Sequence, residues 1–167
     1  MISQIRRILY ATDLSKNSSF AFIYAMDLAK KHDAKIVILH AIEPIPLYIE
    51  FYGFLPDTTS PKQQKATVDQ VKNHLQNFCQ KAEDQYGPPC IELVSKILVT
   101  VGYPPTEILN TADKEECDVI VLGTHGKGFL AHTFLGSVSS AILHRTRKPV
   151  FIVPLPSEKN TVEGDIV

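Results

Sequence analysis

Residues 35–42 read Lys-Ile-Val-Ile-Leu-His-Ala-Ile, a run in which apolar side chains occupy nearly every position. A strand with one solvated face alternates apolar and polar residues, whereas a parallel strand covered by helices on both faces is apolar almost throughout. Residues Ile5–Ala11 form a similar run, and Asp118–Leu122 and Val150–Val153 are the fourth and fifth predicted strands. We therefore predict a parallel sheet that is buried on both faces.

The segments between these runs have helical spacing. The predicted helices cover Asn17–Lys31, Val68–Tyr86, a stretch that begins at Pro104, and Ser137–Arg147. Ile91–Val101 alternates more clearly than the other strands, so we predict that it lies at an edge of the sheet. The resulting order, βαβαβαβαβ, is typical of an α/β protein whose parallel strands are joined by right-handed crossovers.

The length and composition fit one globular domain. The chain has 167 residues, of which 44% are hydrophobic and 21% charged, close to globular averages. We predict a domain over residues 1–154 and a flexible polar tail over residues 155–167. The connector Glu43–Lys65 contains four prolines and four aromatic residues, and it is interpreted as a lid, a partner surface or a mobile loop.

Charge and cysteine content narrow the class of protein. A formal net charge of −1 argues against a nucleic-acid-binding protein that depends on a positive field. No apolar run is long enough to span a bilayer, so we expect no membrane partner. The three cysteines have no CxxC spacing, and we see no targeting segment at the N-terminus, so we expect a cytoplasmic protein with reduced thiols.

Two strand ends carry the residues that suit a ligand. Ala11-Thr12-Asp13 follows the first strand, and Gly123 begins a glycine-rich stretch that leads to Gly136-Ser137 at the start of the last helix. In an open α/β sheet, ligands bind beyond the carboxyl ends of the strands. Glycines let the backbone approach an anion, and a helix start offers unpaired N–H groups to phosphate. The alternative is that the glycines merely end a strand and Ser137 merely caps a helix.

Other nucleotide and nucleophile motifs do not account for this stretch. The sequence contains no GxxxxGK[ST] phosphate-binding loop and no GxSxG nucleophile turn. The dinucleotide pattern G-x-G-x-x-A is met at residues 126–131, but it follows the fourth strand and is not followed by the expected acidic residue.

The spacing G-x2-G-x9-G-S, from Gly123 to Ser137, resembles the ATP-binding signature of the universal stress protein family. Three further segments are similar to parts of the same family. They are Ile8–Ser15, which matches the opening strand and its Asp, Ile38–Ala41 at the second strand end, and Lys148–Val150 before the fifth strand. The resemblance runs in order along most of the chain, which makes it more specific than any one of its parts.

The resemblance implies an open five-stranded parallel sheet of order 3-2-1-4-5 with helices on both faces, of the adenine-nucleotide alpha-hydrolase-like type. It also implies a site that binds ATP, with Mg²⁺ accompanying the phosphates, and no catalytic or metal-ligating side chains are assigned. The residues implied for the adenine and ribose side are Ala11, Thr12, Asp13, Ala41, Leu122 and Gly123. Those implied for the phosphates are Gly126, Gly136, Ser137, Val138 and Ser139.

The implied function is a nucleotide-dependent regulatory or signalling role in a stress response, as a homodimer formed through Val150–Val153 and with an unidentified protein partner. The alternative is a slow ATPase or phosphotransferase, for which Asp13 and Lys127 are the candidates near the phosphates. Asp13 is interpreted either as a ligand of ribose or Mg²⁺, or as a cap of the first helix. His125 either contacts a phosphate or metal ion, or faces solvent.

Overall fold

The computed structural model describes residues 4–44, 61–86, 90–124 and 135–154. Ten helices and strands lie in these ranges. In chain order they are β1 (Arg7–Ala11), α1 (Lys16–His32), β2 (Lys35–Ile42), α2 (Pro61–Tyr86), α3 (Cys90–Leu93), β3 (Val94–Val101), α4 (Pro104–Lys114), β4 (Val119–Gly123), α5 (Ser137–Arg145) and β5 (Val150–Val153). The five strands form one sheet in the order β3-β2-β1-β4-β5, and every pairing is parallel. The predicted fold class and strand order are confirmed.

Helices cover both faces of the sheet, which explains the unbroken apolar runs of the central strands. On one face, α1 and α2 pack on alternate residues of β1, and the Phe22 ring lies between Tyr10 and Phe78 with centroid distances of 4.9 and 5.1 Å. On the other face, Ile108 of α4 and Ile142 of α5 pack on the intervening residues. Each strand residue packs against one helical layer or the other, so every residue of β1 after Arg7 is buried.

β1 lies at the centre of the sheet, and it is the strand at which the order of strand addition switches from one side to the other. β1 pairs with β2 on one side, where Ile8 is opposite Ile36, and with β4 on the other, where Ile8 is opposite Val119. The chain builds outward from β1 to β3, crosses back to β4, and ends at the opposite edge. The loops that follow β1 and β4 therefore leave the same edge of the sheet in opposite directions, and a crevice opens between them.

The edge position predicted for β3 is confirmed, but its predicted start at Ile91 is wrong. Cys90–Leu93 form a single helical turn, and the Ile91 side chain is half exposed. β2 begins at Lys35, and its first partner on β3 is Val94, opposite Ile36. Residues before Val94 consequently have no neighbouring strand to pair with, although their apolar alternation continues the strand pattern.

Other predicted bounds differ as well. β1 begins at Arg7 rather than Ile5, β4 covers Val119–Gly123 rather than Asp118–Leu122, and α1 covers Lys16–His32 rather than Asn17–Lys31.

Two further helix boundaries differ by two residues or more. α2 begins at Pro61 rather than Val68, because its first two turns are polar and lie outside the apolar stripe that periodicity detects. Residues 61–65 of the predicted connector are therefore helical. α5 ends at Arg145 rather than Arg147, since the Thr146 backbone is extended and its hydroxyl accepts a hydrogen bond from the Lys148 amide at 3.0 Å.

The Cys79 side chain is buried among the residues of α1 and α2, where it packs in the core. Residues 45–60 of the predicted connector and the tail 155–167 lie outside the described residues. In the described ranges, no helix combines the length and the apolar character that crossing a membrane requires.

Candidate functional site

A cleft of about 470 Å³ opens at the carboxyl edge of the sheet, at the point where the order of the strands reverses. Its volume lies within the roughly 300–1,000 Å³ of small-molecule sites. The ends of β1, β2 and β4 form its floor, and helices α1, α4 and α5 contribute residues to its walls. Ten residues of the predicted site lie around this cleft: Ala11, Thr12, Asp13, Ala41, Leu122, Gly123, Gly136, Ser137, Val138 and Ser139. Gly126, His125 and Lys127 lie outside the described residues.

The start of α5 leaves backbone donors available at the cleft. Gly136 is the N-cap residue, and no side chain in the described part of the chain caps this helix end. The first intrahelical bond runs from the Ser140 amide to the Gly136 carbonyl at 3.0 Å. The amides of Ser137, Val138 and Ser139 precede that bond, so they have no carbonyl within the helix to which they could donate. An exposed helix start of this kind attracts anions through its N–H groups and its dipole.

The start of α1 meets the same cleft, but unlike the start of α5 it carries a side-chain cap. Ser15 is the N-cap residue, and its hydroxyl accepts a hydrogen bond from the Ser18 amide at 3.3 Å. The Ser15 amide and hydroxyl both donate to Asp13 Oδ1, at 3.0 and 2.5 Å. Ser15 rather than Asp13 is therefore the N-cap residue of α1, and Asp13 bonds to Ser15 itself. The Asp13 carboxylate stands beside this helix start, which makes it a poorer site for anions than the start of α5.

The start of α4 offers no amide at its first two positions because these are prolines. Pro104 and Pro105 lack N–H groups, and the amides of Thr106 and Glu107 donate to the Tyr103 carbonyl at 3.0 and 3.1 Å. α4 instead presents Pro104 and Ile108 to the cleft. Of the three helices that line the cleft, α5 is thus the one that begins with neither a side-chain cap nor a proline in its first turn.

Backbone hydrogen bonds hold Thr124, which follows β4, and Gly136, which precedes α5. The Thr124 amide donates to the Val153 carbonyl of β5 at 2.9 Å, and the Gly136 amide donates to the Thr124 carbonyl at 2.7 Å. The Ser139 hydroxyl donates to the Gly123 carbonyl at 2.8 Å. The Ser139 hydroxyl proton is therefore used within the protein, and what Ser139 offers the cleft is its backbone amide.

Part of the cleft lining is apolar. The side chains at Ala11 and Ala41 are small, and Leu39, Leu122 and Ile108 contribute larger apolar side chains. Apolar lining of this kind suits a planar ring, and the adjacent polar groups of the β1–α1 turn suit hydroxyls.

Sequence reasoning missed several residues of the cleft, namely Ser18, Leu39, His40, Ile42, Glu43, Pro104 and Ile108. Most of them could have been found by applying one rule to every strand. The carboxyl ends of all parallel strands share an edge, so Ile42 and Glu43 after β2, and Pro104 after β3, were candidates by position. Ser18 and Ile108 lie one helical turn further along, and only the packing of α1 and α4 brings them to the cleft.

Burial sets the protonation of two groups close to the sheet. Burial raises the pKa of the Tyr10 phenol far above its ordinary value, so the hydroxyl stays protonated and donates to the Ser18 carbonyl at 2.6 Å. Burial likewise raises the pKa of the Cys117 thiol to about 11, which keeps it a poor nucleophile at neutral pH. Within the described ranges, no three His, Cys, Asp or Glu side chains are grouped to hold a metal ion.

Together the fold and the cleft define an α/β protein with a cleft of small-molecule size at the switch point of its sheet and, beside it, a helix start without a side-chain cap. The sequence profile of the family described as "Universal stress protein family" matches residues 4–154. The chain belongs to this family. The resemblance inferred from the glycine spacing is thereby confirmed.

Two relatives show the extent of the similarity. The universal stress protein MJ0577 of Methanocaldococcus jannaschii is 26% identical over 159 residues, which cover 89% of this chain and 94% of the relative. A universal stress protein of Thermus aquaticus is 30% identical over 148 residues, covering 89% of this chain and 98% of the relative. Both alignments span nearly the whole of each protein.

Solved structures share the fold. That of MJ0577 superposes with a TM-score of 0.71 at 26% identity, covering 93% of this chain and 99% of that one. A universal stress protein solved in complex with cAMP gives a TM-score of 0.56 at 22% identity, covering 91% and 98% of the two chains. An Arabidopsis thaliana family member solved with AMP bound gives 0.54 at 14% identity, covering 95% and 97%.

Proposed function

We propose that this protein binds ATP in the cleft at the carboxyl edge of its sheet. The observation that carries the proposal is the open start of α5, where the Ser137, Val138 and Ser139 amides precede the first intrahelical hydrogen bond. A triphosphate needs several donors in one place, and a helix start without a side-chain cap supplies them from the backbone. The relatives solved with cAMP and with AMP support an adenine nucleotide as the ligand.

We assign each part of the nucleotide to the lining residues that suit its chemistry. Ala11, Thr12, Asp13, Ala41, Leu122 and Gly123 receive the adenine and ribose, and Gly136, Ser137, Val138 and Ser139 receive the phosphates. The small side chains at Ala11 and Ala41 admit the base, and the Asp13 carboxylate accepts from ribose hydroxyls. Gly126 joins the phosphate side on the strength of the glycine spacing.

Mg²⁺ belongs with the phosphates in this proposal. Asp13 and Glu43 both line the cleft, so a triphosphate enters a space that already holds two carboxylates. Mg²⁺ is usually bound by one or two carboxylates together with substrate phosphates, and it offsets the repulsion between them. We expect ATP affinity to fall when EDTA removes the metal ion.

The direct test is to identify what the protein carries and what it binds. Freshly purified protein is denatured and the released small molecules are analysed by mass spectrometry, and apo protein is titrated with Mg·ATP and Mg·GTP in a calorimeter. We expect released adenine nucleotide and a clear preference for ATP over GTP. Absence of released nucleotide together with no heat of binding at millimolar ATP would overturn the proposal.

A regulatory role fits the cleft better than rapid catalysis. Fast hydrolysis needs a base placed to activate water, and the Asp13 carboxylate is engaged through Oδ1 with Ser15 at the start of α1. We propose that the protein signals nucleotide state in the cytoplasm during stress, where its buried thiols Cys79 and Cys117 stay reduced. ATP turnover near the enzyme median of about 10 s⁻¹ would favour the ATPase alternative instead.

We also propose a homodimer formed through the free edge of β5. Phe151 on this strand, Tyr24 of α1 and Leu143 of α5 are all exposed large apolar side chains, and the Tyr24 and Phe151 rings lie 6.0 Å apart. An apolar edge strand flanked by apolar side chains on both faces is suited to pairing with a second copy.

Phe151→Lys tests the dimer, with Tyr103→Lys as the matched control, because Tyr103 is an exposed aromatic residue beside the opposite edge strand. Sedimentation velocity is expected to show a dimer for the original protein and for Tyr103→Lys, and a monomer for Phe151→Lys. A monomeric original protein, or a dimer that survives Phe151→Lys, would contradict the proposed interface.

A further inference from the structure

Thr12, the residue between β1 and Asp13, is held on three sides by buried hydrogen bonds. Its amide donates to the Leu39 carbonyl at 2.9 Å, and its carbonyl lies 2.8 Å from His40 Nδ1. Because a carbonyl can only accept, His40 Nδ1 is the donor of that bond. The Thr12 hydroxyl lies 2.8 Å from Ser18 Oγ and accepts from the Leu14 amide at 3.0 Å. β2 and α1 thus fix the start of the turn.

The direction of these bonds follows from counting hydroxyl protons. The Ser18 hydroxyl donates to the Ser15 carbonyl at 2.9 Å, which uses its single proton. The Thr12 hydroxyl must therefore donate to Ser18 Oγ. The bonds run in one direction, from the Leu14 amide through Thr12 and Ser18 to Ser15, and Ser15 in turn donates twice to Asp13 Oδ1. Thr12 and Ser18 are both nearly inaccessible to water, so water competes poorly for these bonds.

The turn that these bonds hold is strained. Leu14 has a φ of 65°, a left-handed conformation that a leucine rarely adopts. Such a residue persists where its surroundings determine its conformation more firmly than its own preference does. Here the Leu14 amide is bonded to Thr12 and its side chain packs against the core of α1 and α2. The strain lies directly beside Asp13, so what holds Leu14 also fixes where the Asp13 carboxylate stands.

We propose that Ser18 and His40 are positioning residues that act through Thr12 to hold the Asp13 carboxylate for the ribose hydroxyls, and that the cleft therefore selects ribonucleotides over 2′-deoxyribonucleotides. This inference rests on the proposed binding of an adenine nucleotide. Asp13 lines the cleft, and carboxylate oxygens accept hydrogen bonds from hydroxyl groups such as those of ribose.

Selectivity is the property that separates positioning from general stability. The phosphates are assigned to α5 and the base to the strand ends, and both contribute equally to binding of ATP and of 2′-deoxyATP. The ratio of the two dissociation constants therefore isolates the bond to the 2′-hydroxyl. A hydrogen bond to a charged group corresponds to a preference of roughly 10- to 100-fold. Small displacements of a positioned group remove much of such a preference.

The experiment measures dissociation constants for Mg·ATP and Mg·2′-deoxyATP by calorimetry in the full-length protein and four variants. Ser18→Ala removes the hydroxyl that accepts from Thr12, and Ser19→Ala is its matched control. The Ser19 hydroxyl also donates to the Ser15 carbonyl, at 3.1 Å, but no bond joins it to Thr12. His40→Ala removes the ring donor, and His40→Asn returns an N–H group near the position of Nδ1.

We expect the original protein and Ser19→Ala to prefer ATP by roughly 10- to 100-fold. Ser18→Ala and His40→Ala should lose most of that preference, with a clearly larger loss of affinity for ATP than for 2′-deoxyATP, and His40→Asn should regain part of it. Should Ser18→Ala not fold, as judged by circular dichroism, the two His40 variants complete the test by themselves.

The outcomes distinguish this inference from the proposed function. If the original protein binds neither nucleotide, the proposed function fails and this inference fails with it. If it binds ATP without a ribose preference, or if Ser18→Ala and His40→Ala keep the preference, the proposed function stands and the positioning role is wrong. An equal loss of ATP and 2′-deoxyATP affinity in these variants also overturns the positioning role, since it indicates direct contact or general damage.

Discussion

Two clefts of nearly equal size lie at opposite edges of the sheet, and their chemistry differs. The cleft at the carboxyl edge measures about 470 Å³ and that at the amino edge about 480 Å³. The amino-edge cleft is lined by four cationic side chains, three acidic side chains and one serine, and two of the carboxylates are engaged within the protein. Lys96 Nζ lies 2.6 Å from Glu115 Oε2, and Asp118 Oδ2 accepts from the Arg6 and Arg7 amides at 2.8 and 2.9 Å.

Volume alone therefore does not distinguish the two clefts, whereas the hydrogen bonds of their lining residues do. At the amino edge, carboxylates close the starts of the strands, and Arg7 also donates to the Glu115 carbonyl. At the carboxyl edge, the first turn of α5 has no side-chain cap. A ligand at the amino edge must break the ion pair there before it binds. A phosphate at the start of α5 only replaces water as the acceptor for the first-turn amides.

The largest expected effect comes from closing α5 with a side chain. Gly136 has a φ of −68°, which any residue adopts, so Gly136→Asp provides a cap without backbone strain. The new carboxylate takes the amides of the first turn and repels phosphate, and we expect ATP affinity to fall about 100-fold, equivalent to about 2.7 kcal/mol. The free energy of unfolding should rise by a few tenths of a kcal/mol, because Asp caps better than Gly.

Calorimetry and chemical denaturation measure the two quantities, and Gly136→Asn supplies the control that caps the helix without a charge. We expect Gly136→Asn to bind ATP with intermediate affinity. ATP binding within threefold of the original in Gly136→Asp would show that the phosphates lie elsewhere.

Removing the cap of α1 should lower the stability of the fold without weakening phosphate binding. Ser15→Ala removes the cap of α1, and we expect the free energy of unfolding to fall by about 1 kcal/mol. The contribution of the phosphates should persist, because α5 is untouched. The check is the ratio of affinities for ATP and adenosine, which should stay as in the original protein after Ser15→Ala and collapse after Gly136→Asp. A collapse in both variants would mean that α1 also holds phosphate.

The smallest expected effect is at the amino edge. The Lys96 ammonium hydrogen bond holds the pKa of the Glu115 carboxyl below its ordinary value. A carboxyl whose pKa is lowered by folding stabilises the fold above its unfolded pKa of about 4.3, and that contribution is lost as the pH falls through the folded pKa. Lys96→Met should therefore lower stability slightly at neutral pH, and less as the solution is acidified.

The Lys96 side chain is about half exposed, so solvent screens the pair and the loss should be smaller than that of Ser15→Ala. Urea denaturation across pH measures it. ATP affinity should stay within twofold of the original, and a larger change would assign a ligand role to the amino-edge cleft.

Sequence patterns were sufficient for the fold because each central strand is buried on both faces. Lys35–Ile42 and Val150–Val153 have the predicted bounds, since continuous apolar runs end where the helical layers end. The patterns failed where partners decide the structure. Ile91 continues the alternation of β3 but has no strand beside it, and the polar start of α2 shows no periodic stripe.

The candidate site was predictable where it follows one strand or begins one helix. The glycine spacing indicates Gly136 and Ser137, and the first strand end indicates Thr12 and Asp13. The closure of α1 was less accessible, since it depends on Ser18 reaching back to Thr12 across a folded turn. Sequence alone gave the start of α5 as the candidate anion site. The hydrogen bonds of the folded chain show that α1, which meets the same cleft, begins with a side-chain cap and α5 does not.

The most direct test of the central claim is the amide spectrum of the first turn of α5. Backbone ¹⁵N–¹H resonances of Ser137, Val138 and Ser139 are followed during titration with Mg·ATP, with those of Ser18 and Glu107, at the starts of α1 and α4, as internal references. Large shifts and slowed hydrogen exchange are predicted at the three α5 amides, with smaller changes at the references. Saturable ATP binding that leaves the α5 amides unchanged would contradict the account.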